Sequence, residues 1–282
     1  MIDVSIIIVN YNTCKITSNC VDSVVEKTHG VDYEIILVDN ASTDGSNKFF
    51  EKDNRVKYIY SEKNGGFGYG NNLGMKVAKG KYFFLLNSDT LLINNAVKQF
   101  FDYAESENEK IIYGAYLLHS DGTFFWPPYF YFPSFTIKDF IKRFFRSHNR
   151  SLTPNQVINV EAICGAAMFF NRDAFEKTLG FDENIFLYGE ESELQFRMRK
   201  VGYTSCLIPT PKIIHLEGQS MKASPSKKAI SLKSHFYVLK KHMNYPTYLL
   251  ARLYYMILLG LINVSHCNDT EYRDFFKTLF SL

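Results

Sequence analysis

Two aspartates follow apolar segments of this sequence, where a ligand could reach them. Asp39 closes an isoleucine- and valine-rich segment, and Asp89 comes directly after Leu85-Leu86-Asn87-Ser88. Divalent cations such as Mg²⁺ and Mn²⁺ prefer oxygen ligands and often take only one or two protein carboxylates, which leaves positions for phosphates. Asp89 is therefore a candidate metal ligand, although an aspartate at a strand end also commonly caps a turn. Asp39 is a candidate hydrogen-bond partner for a base or ribose.

Three glutamates crowd the start of a predicted helix. The stretch 180–197 reads GFDENIFLYGEESELQFR and contains Glu190, Glu191 and Glu193. A carboxylate at this point could act as a general base and take a proton from a hydroxyl group. Alternatively, the acids stabilise the positive end of the helix dipole, with Glu193 paired to Arg197 four residues later. That alternative does not explain why three acids occur together.

A glycine-rich segment, Asn64–Asn72, would allow the backbone to approach a bulky anion closely. Glycine permits positive φ and leaves backbone N–H groups accessible. The segment lacks the G-x-G-x-x-G spacing of a dinucleotide fingerprint, and it does not follow the first strand, which ends Asn10-Tyr11-Asn12. A nicotinamide oxidoreductase is therefore disfavoured. We expect at least one of Ser42, Thr43 and Asp44 to cap a helix.

Apolar segments that alternate with longer polar segments predict the elements that position these residues. This alternation is typical of an α/β protein with a mostly parallel, Rossmann-like central sheet flanked by helices. Ligands of such sheets bind beyond the carboxyl ends of the strands. The first four predicted strands are Val4–Val9, Glu34–Asp39, Val56–Tyr60 and Tyr82–Leu86, and their ends carry Asn10, Asp39, Ser61–Asn64 and Asn87–Asp89.

The second half of the chain is less regular. The aromatic-rich segment Tyr116–Asn149 predicts a packed insertion whose rings mostly fill a core, although some could stack on sugar faces. Regular structure is predicted again from Val160 to Asn171. A helix is predicted at Glu190–Val201, followed by strands at Tyr203–Ile208 and Lys212–His215.

Composition excludes several classes of protein. With 282 residues and 46% hydrophobic content, the chain can bury a full core, and its net charge of +3 does not suggest a nucleic-acid binder. The five cysteines are widely spaced without a C-x-x-C pair, which predicts reduced thiols and a cytoplasmic protein. The first ten residues do not resemble a signal peptide.

Over roughly residues 4–220, these segments resemble, in order and spacing, the family 2 glycosyltransferases, which have the GT-A fold. The resemblance rests on N-Y-N, V-D-N-A-S-T-D-G-S, N-G-G-F, L-L-N-S-D-T and F-D-E-N-I-F-L-Y-G-E-E-S-E-L. Within the family, the chain resembles bacterial rhamnosyltransferase-like enzymes of surface polysaccharide synthesis. The resemblance implies inverting transfer of a sugar, with rhamnose as a candidate, from a nucleotide diphosphate donor to a saccharide or lipid-linked saccharide acceptor, with Mg²⁺ or Mn²⁺ as cofactor.

The resemblance also implies a role for individual residues. Glu191 stands at the position of the family's catalytic aspartate, with Glu190 as its main competitor. His215 precedes a segment similar to H-x-x-G-x-S and would complete a metal site with Asp89. The acceptor side would include Gly165, Ala166 and Glu193. Nucleotide-sugar contacts are implied for Asn10, Tyr11, Asp39, Asn64, Gly66, Asn71, Asn72, Asn87 and Ser88.

Three residues depart from the family pattern. Asn87 occupies the first acidic position of the usual D-x-D, and Glu191 and Glu193 replace aspartates. A longer side chain moves the carboxylate by one methylene, and errors near 1 Å can cost on the order of a hundredfold in rate. These departures motivate an alternative function as a catalytically inactive nucleotide-sugar-binding or scaffold protein.

The predicted domain organisation is a GT-A catalytic domain over 1–220, with a nucleotide-binding half at about 1–114 and an acceptor-binding half at about 115–220, followed by a basic and apolar helical extension over 221–282. The extension's apolar segment, Leu253–Ile262, is too short to span a bilayer. The extension therefore lies on an anionic membrane surface, at the inner face of the cell membrane, or docks on the catalytic domain or on a second subunit.

Overall fold

A computed structural model describes residues 1–107, 110–125, 129–133, 136, 138, 155–216 and 225–265, with side chains over 229–257 in the last range. The predicted segment Leu216–Ser220 is thus described only at Leu216. Trp126, Lys222, Cys267 and most of 134–154 lie outside the described residues, as do the side chains of Lys227 and Lys228.

The described elements alternate between strands and helices through the first half of the chain. The strands are β1 (Val4–Asn10), β2 (Tyr33–Asn40), β3 (Lys57–Ser61), β4 (Tyr82–Asn87), β5 (Thr90–Leu92), β6 (Ile111–Leu118), β7 (Tyr129–Phe130), β8 (Ile158–Val160), β9 (Ala162–Ile163), β10 (Ala167–Asn171) and β11 (Thr204–His215). The helices are α1 (Cys14–Lys27), α2 (Ser46–Phe50), α3 (Phe67–Val77), α4 (Ala96–Ser106), α5 (Arg172–Thr178), α6 (Glu190–Lys200), α7 (Pro225–His242) and α8 (Tyr245–Ser265).

Within the described part of the chain, nine strands form one central sheet. Its order is β3-β2-β1-β4-β10-β6-β11-β5, with β8 beside β11, while β7 and β9 form a separate pair. Strands β1 to β4 are parallel to one another, and β6 is parallel to β11. The predicted mostly parallel sheet flanked by helices is confirmed. Strand β10 runs antiparallel between β4 and β6, a direction that its apolar pattern could not reveal.

The sheet has an apolar core on each face because successive strand residues point to opposite sides. Ile6 and Ile8 of β1 pack with residues of α1 and α4, such as Val21 and Phe100. Ile7 lies on the other face, with residues of α3 and α6, such as Met75 and Leu194. Each such side chain contributes about 1.5–3 kcal/mol through its burial. The strand ends, and the side chains that follow them, are thereby held at one edge of the sheet.

Strand β11 spans the two segments predicted as separate strands. Its pairing with β6 shifts register between Ile208 and Ile213, a segment that contains Pro209 and Pro211. Proline cannot donate a ladder hydrogen bond, which accounts for the irregularity. Beyond it, Ile213–His215 pairs antiparallel with β5, so that His215 lies opposite Thr90.

The described residues of the aromatic-rich segment differ in their burial. Phe132 is buried and Phe125 packs against the core, as expected, whereas Phe124 and Phe130 are exposed.

The thiols of Cys14, Cys20 and Cys206 are free.

The chain forms two compact units. The first comprises Met1–Phe132, Leu152–Asn184 and Glu191–Lys222 and contains the central sheet. The second comprises Pro133–Ser151, Ile185–Glu190 and Ala223–Leu282. In the second unit α7 packs on α8, with the Phe236 and Tyr255 ring centroids 5.5 Å apart.

Candidate active site

Asn10, at the end of β1, joins the loops that follow the first two strands. Its Nδ2 donates to Ser42 Oγ at 3.0 Å. Its Oδ1 accepts from the hydroxyls of Thr13 at 2.9 Å and Thr17 at 2.8 Å. The side chain is fully buried, so Asn10 fixes the shape of these loops.

Asp39, near the end of β2, is also fully buried and has partners within the chain. Its Oδ1 accepts from the Ser42 backbone N–H at 3.0 Å and lies 3.5 Å from Asn10 Nδ2. Its Oδ2 accepts from the Tyr58 hydroxyl at 3.0 Å. Burial, together with this hydrogen bond to Asp39, raises the pKa of Tyr58. The carboxylate thus holds the loop after β2 against β1 and β3.

The loop after β1 crosses the loop after β2 and is fixed by side chains of both. Asn12 has a φ of +55° and accepts from the Thr43 N–H at 2.7 Å. Asp44 accepts from the first N–H group of α1, at Cys14, and of α2, at Ser46, at 2.9 and 3.1 Å. The expected capping is therefore confirmed for Asp44. Tyr11 remains 39% exposed beside this crossing, where its ring can contact a ligand.

The glycine-rich segment first serves the packing of α3 on the sheet. A Cβ atom at Gly70 would lie 2.6 Å from Val9 Cγ1, and one at Gly74 would lie 2.5 Å from Ile7 Cγ2. Gly66 has a φ of +90°, which favours glycine, and its N–H donates to Asn64 Oδ1 at 3.0 Å. Asn64 is part-exposed just before the start of the helix, whereas Gly66 is buried.

Asn71 and Asn72 lie on α3 and are buried. The Asn71 Nδ2 donates to the Phe67 carbonyl at 3.0 Å. Asn72 holds the segment after α5: its Nδ2 donates to the Phe181 carbonyl at 2.9 Å and to Glu183 Oε1 at 3.0 Å, and its Oδ1 accepts from the Phe181 N–H at 2.8 Å. Its carboxamide is therefore engaged by the chain itself.

The end of β4 lies beside the loop after β1. Ser88 Oγ is 3.4 Å from Thr13 Oγ1, and the Asn87 N–H donates to the Ala166 carbonyl at 3.0 Å. Asn87 Oδ1 is buried and has no hydrogen-bond partner among the described residues. A buried amide oxygen in this state suits a ligand that brings a donor or a cation.

Asp89 and His215 are brought together by the pairing of β5 with the end of β11. Their Oδ1 and Nε2 atoms are 3.3 Å apart, and both side chains are largely buried. The Leu216 N–H also donates to the Asp89 carbonyl at 2.8 Å. Among the described residues there is no group of three or more acidic, histidine or cysteine side chains that could hold a metal. One carboxylate oxygen and one imidazole nitrogen nevertheless fit an ion that takes its remaining ligands from phosphate and water.

Glu191 lies over the turn formed by Gly165 and Ala166. A Cβ atom at Gly165 would be 3.3 Å from Glu191 Cβ and 3.5 Å from the Phe67 ring, so a larger residue there would press on Glu191. The same turn contacts the end of β4 through the Ala166 carbonyl. Glu191 is part-exposed, whereas Glu190 is 4% exposed.

Gln195 was not predicted, yet it determines how α6 is seated. Its Oε1 accepts from the Ile163 N–H at 2.9 Å and the Ser205 hydroxyl at 3.1 Å. Its Nε2 donates to the Ile163 carbonyl at 2.9 Å and the Glu191 carbonyl at 3.1 Å. The side chain is 1% exposed. Its carboxamide hydrogen-bonds both backbone groups of Ile163 in β9, as the backbone of a paired strand would. The sequence signal that could have identified Gln195 is its spacing of four residues from Glu191, which places both residues on the same side of the helix.

Glu193 pairs with Arg197, as one interpretation of the sequence predicted. The Arg197 Nε lies 2.9 Å from both carboxylate oxygens, and its Nη2 lies 2.7 Å from Oε2. The Glu193 side chain is completely buried. Arg197 also donates to the carbonyls of Thr178 and Gly180. The pair thus fastens α6 to the segment after α5.

Comparison with known proteins identifies the family of the chain. Residues 5–179 match the model of the family described as glycosyl transferase family 2. The glycosyltransferase GlyG of Streptococcus pneumoniae is 34% identical over 128 residues, which cover 43% of this chain and 42% of GlyG. The poly(ribitol-phosphate) beta-N-acetylglucosaminyltransferase TarP of Staphylococcus aureus is 30% identical over 124 residues, which cover 42% of this chain and 38% of TarP. The chain spans less than half the length of these relatives.

Solved structures share the fold. GalNAc-T7, crystallised with UDP, GalNAc and Mn²⁺, has a TM-score of 0.64 at 17% identity, covering 85% of this chain and 48% of GalNAc-T7. TarS of S. aureus has a TM-score of 0.58 at 14% identity, covering 83% of this chain and 44% of TarS. The predicted GT-A fold is confirmed. From the match over residues 5–179, the chain belongs to the family 2 glycosyltransferases.

Proposed function

We propose that this chain is a metal-dependent inverting glycosyltransferase, which moves a sugar from a nucleotide diphosphate to a hydroxyl of a saccharide or lipid-linked saccharide acceptor. Surface polysaccharide biosynthesis is the proposed setting, in the cytoplasm. Family membership supports the reaction class. The names of relatives that act on poly(ribitol-phosphate) support an acceptor of the cell surface.

One observation carries the proposal: separate segments of the first unit converge at the end of β4. Asn87 contacts Ala166, Gly165 lies beside Glu191, and Asp89 contacts His215. Ser88 connects this point to the loop after β1. Two residues that would ligate a metal and a part-exposed carboxylate thereby lie at the sheet edge where ligands of α/β proteins bind.

The donor would bind along the ends of β1, β2 and β4. Tyr11 is exposed for contact with the base, and the part-exposed Asn64, at the start of α3, suits contact with an anionic group. Asn10, Asp39 and Asn72 have partners within the chain, and we assign them, with the buried Gly66, to shaping this surface. Asn71 Oδ1, like Asn87 Oδ1, is buried without a hydrogen-bond partner among the described residues, and it would accept from the donor. Asn87 and Ser88 would contact the diphosphate-sugar end of the donor.

Asp89 and His215 are the residues that would hold the divalent ion. When bound, Mg²⁺ or Mn²⁺ supplies positive charge that stabilises the leaving diphosphate. The relative crystallised with Mn²⁺ supports this cofactor. Asn87 replaces an acid, so the site carries one carboxylate fewer than a D-x-D pair and depends more on Asp89.

Glu191 would act as the general base. It takes the proton of the acceptor hydroxyl while that oxygen attacks the anomeric carbon from the face opposite the diphosphate, and the configuration inverts. Glu190 is the competing candidate, because the two side chains are adjacent at the helix start. Such base catalysis contributes typically about 10²–10⁴-fold. Gly165 leaves room beside Glu191 for an acceptor, and Glu193 supports the acceptor side through Arg197.

The proposal is tested by incubating purified protein with nucleotide-activated rhamnose, glucose and N-acetylglucosamine, Mn²⁺ or Mg²⁺, and saccharide acceptors. We expect metal-dependent release of nucleoside diphosphate from one donor, and a product whose anomeric configuration, measured by NMR, is opposite to that of the donor. Retained configuration would contradict the mechanism. Tight donor binding without release under any condition would favour the inactive sugar-binding or scaffold protein instead.

A further inference from the structure

The helical hairpin α7–α8 carries the positive charge of the chain. Residues 225–265 contain six lysine and arginine residues and no aspartate or glutamate, and the 17 residues that follow add two basic and three acidic ones. The chain has 32 basic and 29 acidic residues, so residues 1–224 contain 24 basic and 26 acidic ones. A nearly neutral catalytic region is thus followed by a strongly basic hairpin.

Helix α8 has an apolar side that the described structure leaves exposed. Tyr248 is buried, and Tyr255 packs on His235 and Phe236 of α7. On the opposite side, apolar residues spaced by three or four positions are exposed. We call this side the α8 face, and it consists of Tyr245, Leu249, Leu250, Leu253, Tyr254 and Ile257. Leu250, Leu253 and Ile257 are 58, 50 and 57% exposed. Ordinary surface helices place charges in such positions.

We propose that the α8 face lies in the surface of an anionic lipid bilayer, with the basic residues of the hairpin directed to lipid phosphates. Lys240, Lys241 and His242 form the last turn of α7, immediately before α8 begins. Leucine, tyrosine and isoleucine beside lysine and arginine are the composition of helices that lie in the bilayer interface. No helix in the described ranges is long and apolar enough to cross a membrane.

Charge decides between a bilayer and a second copy of this chain. Two copies joined through the α8 face by a twofold axis would bring two hairpins together, each with six basic and no acidic residues, and these would repel each other. Anionic lipid headgroups instead complement the hairpin. A membrane location would bring the catalytic site to a lipid-linked acceptor, a role beyond the transfer chemistry itself.

Flotation of the full chain with lipid vesicles tests this proposal. The vesicles are made of phosphatidylcholine alone or with added phosphatidylglycerol. We expect flotation with the anionic vesicles only, and weaker flotation as salt rises. Each basic residue near the surface is worth about fivefold in partitioning. The variant Lys233→Gln/Lys240→Gln/Lys241→Gln should therefore partition about a hundredfold less.

A second variant tests the apolar contact. Leu250→Glu/Leu253→Glu/Ile257→Glu should abolish flotation while leaving the helical circular dichroism and transfer to a soluble acceptor unchanged. Val157→Glu, at a 53% exposed position in the first unit, is the matched control and should float like the parent protein.

Three results would overturn the proposal. These are absence of flotation by the parent protein, equal flotation of all variants, and a dimer in sedimentation that the α8 variant alone disrupts while flotation persists. A parent protein that floats with anionic vesicles but transfers no sugar would refute the proposed enzyme function and leave the membrane inference standing.

Discussion

Replacing Gln195 by leucine removes four hydrogen bonds from a buried site while keeping a side chain of similar size. The Ser205 hydroxyl can rotate, and the Glu191 carbonyl belongs to a part-exposed residue. The Ile163 N–H and carbonyl stay buried without their partner. Each buried polar group left unpaired costs about 1–3 kcal/mol, so we expect a loss of about 2–6 kcal/mol in the free energy of unfolding. For a chain of this size, the melting temperature should fall by about 5–15 °C.

The same change should lower activity because Gln195 seats the helix that carries Glu191. A displacement of about 1 Å at a catalytic group can cost on the order of a hundredfold in rate. We expect kcat to fall at least about tenfold, with little change in KM for the donor. Melting followed by circular dichroism and steady-state kinetics at saturating donor measure the two effects at a temperature where the variant remains folded.

Gln99→Leu provides the matched control, because Gln99 is a part-exposed glutamine on α4 with a single 3.4 Å contact to Asn94. It should behave like the parent protein in both measurements. A Gln195→Leu protein that melts and turns over like the parent would refute the reasoning. A protein that melts early yet keeps its kcat when folded would reduce Gln195 to a residue that stabilises the fold.

Three further predictions concern single residues. Glu193→Gln breaks a buried ion pair from one side and should cost about 3–5 kcal/mol in urea unfolding, and an unchanged midpoint would contradict the role given to Arg197. Asp89→Ala should abolish transfer and weaken Mn²⁺ binding in calorimetry without altering circular dichroism, and full activity in a chelator would exclude the proposed metal site. Burial raises the pKa of the Cys20 thiol to about 12, so iodoacetamide at pH 8 should not label Cys20 until the protein is unfolded, as mass spectrometry of peptides would reveal.

The sequence predicted what depends on local pattern. Apolar segments identified β1, β2 and β4, and polar residues at their ends identified the edge where Asn10 and Asp89 lie. The helix start at Glu190 was also predicted, since its acids and the i, i+4 pair of Glu193 with Arg197 are local features.

Long-range pairing could not be predicted in the same way. The contact of Asp89 with His215 depends on the register shift within β11, and the seating of Glu191 depends on Gln195 meeting Ile163, 32 residues away. The internal partners of Asp39 and Asn72 likewise come from distant segments. A single sequence does not indicate whether a buried amide faces a ligand or its own chain.

The role of Glu191 is tested most directly by the transfer rates of Glu191→Gln and Glu190→Gln, measured in parallel with donor binding. Glutamine keeps the size of the side chain but cannot take the acceptor's proton. We expect Glu191→Gln to bind donor and metal like the parent protein and to lose about 10²–10⁴-fold in kcat, while Glu190→Gln loses much less. If Glu190→Gln alone is inactive, the general base is Glu190 and not Glu191. Transfer at the parental rate by both variants and by the double variant would contradict general-base catalysis from this helix.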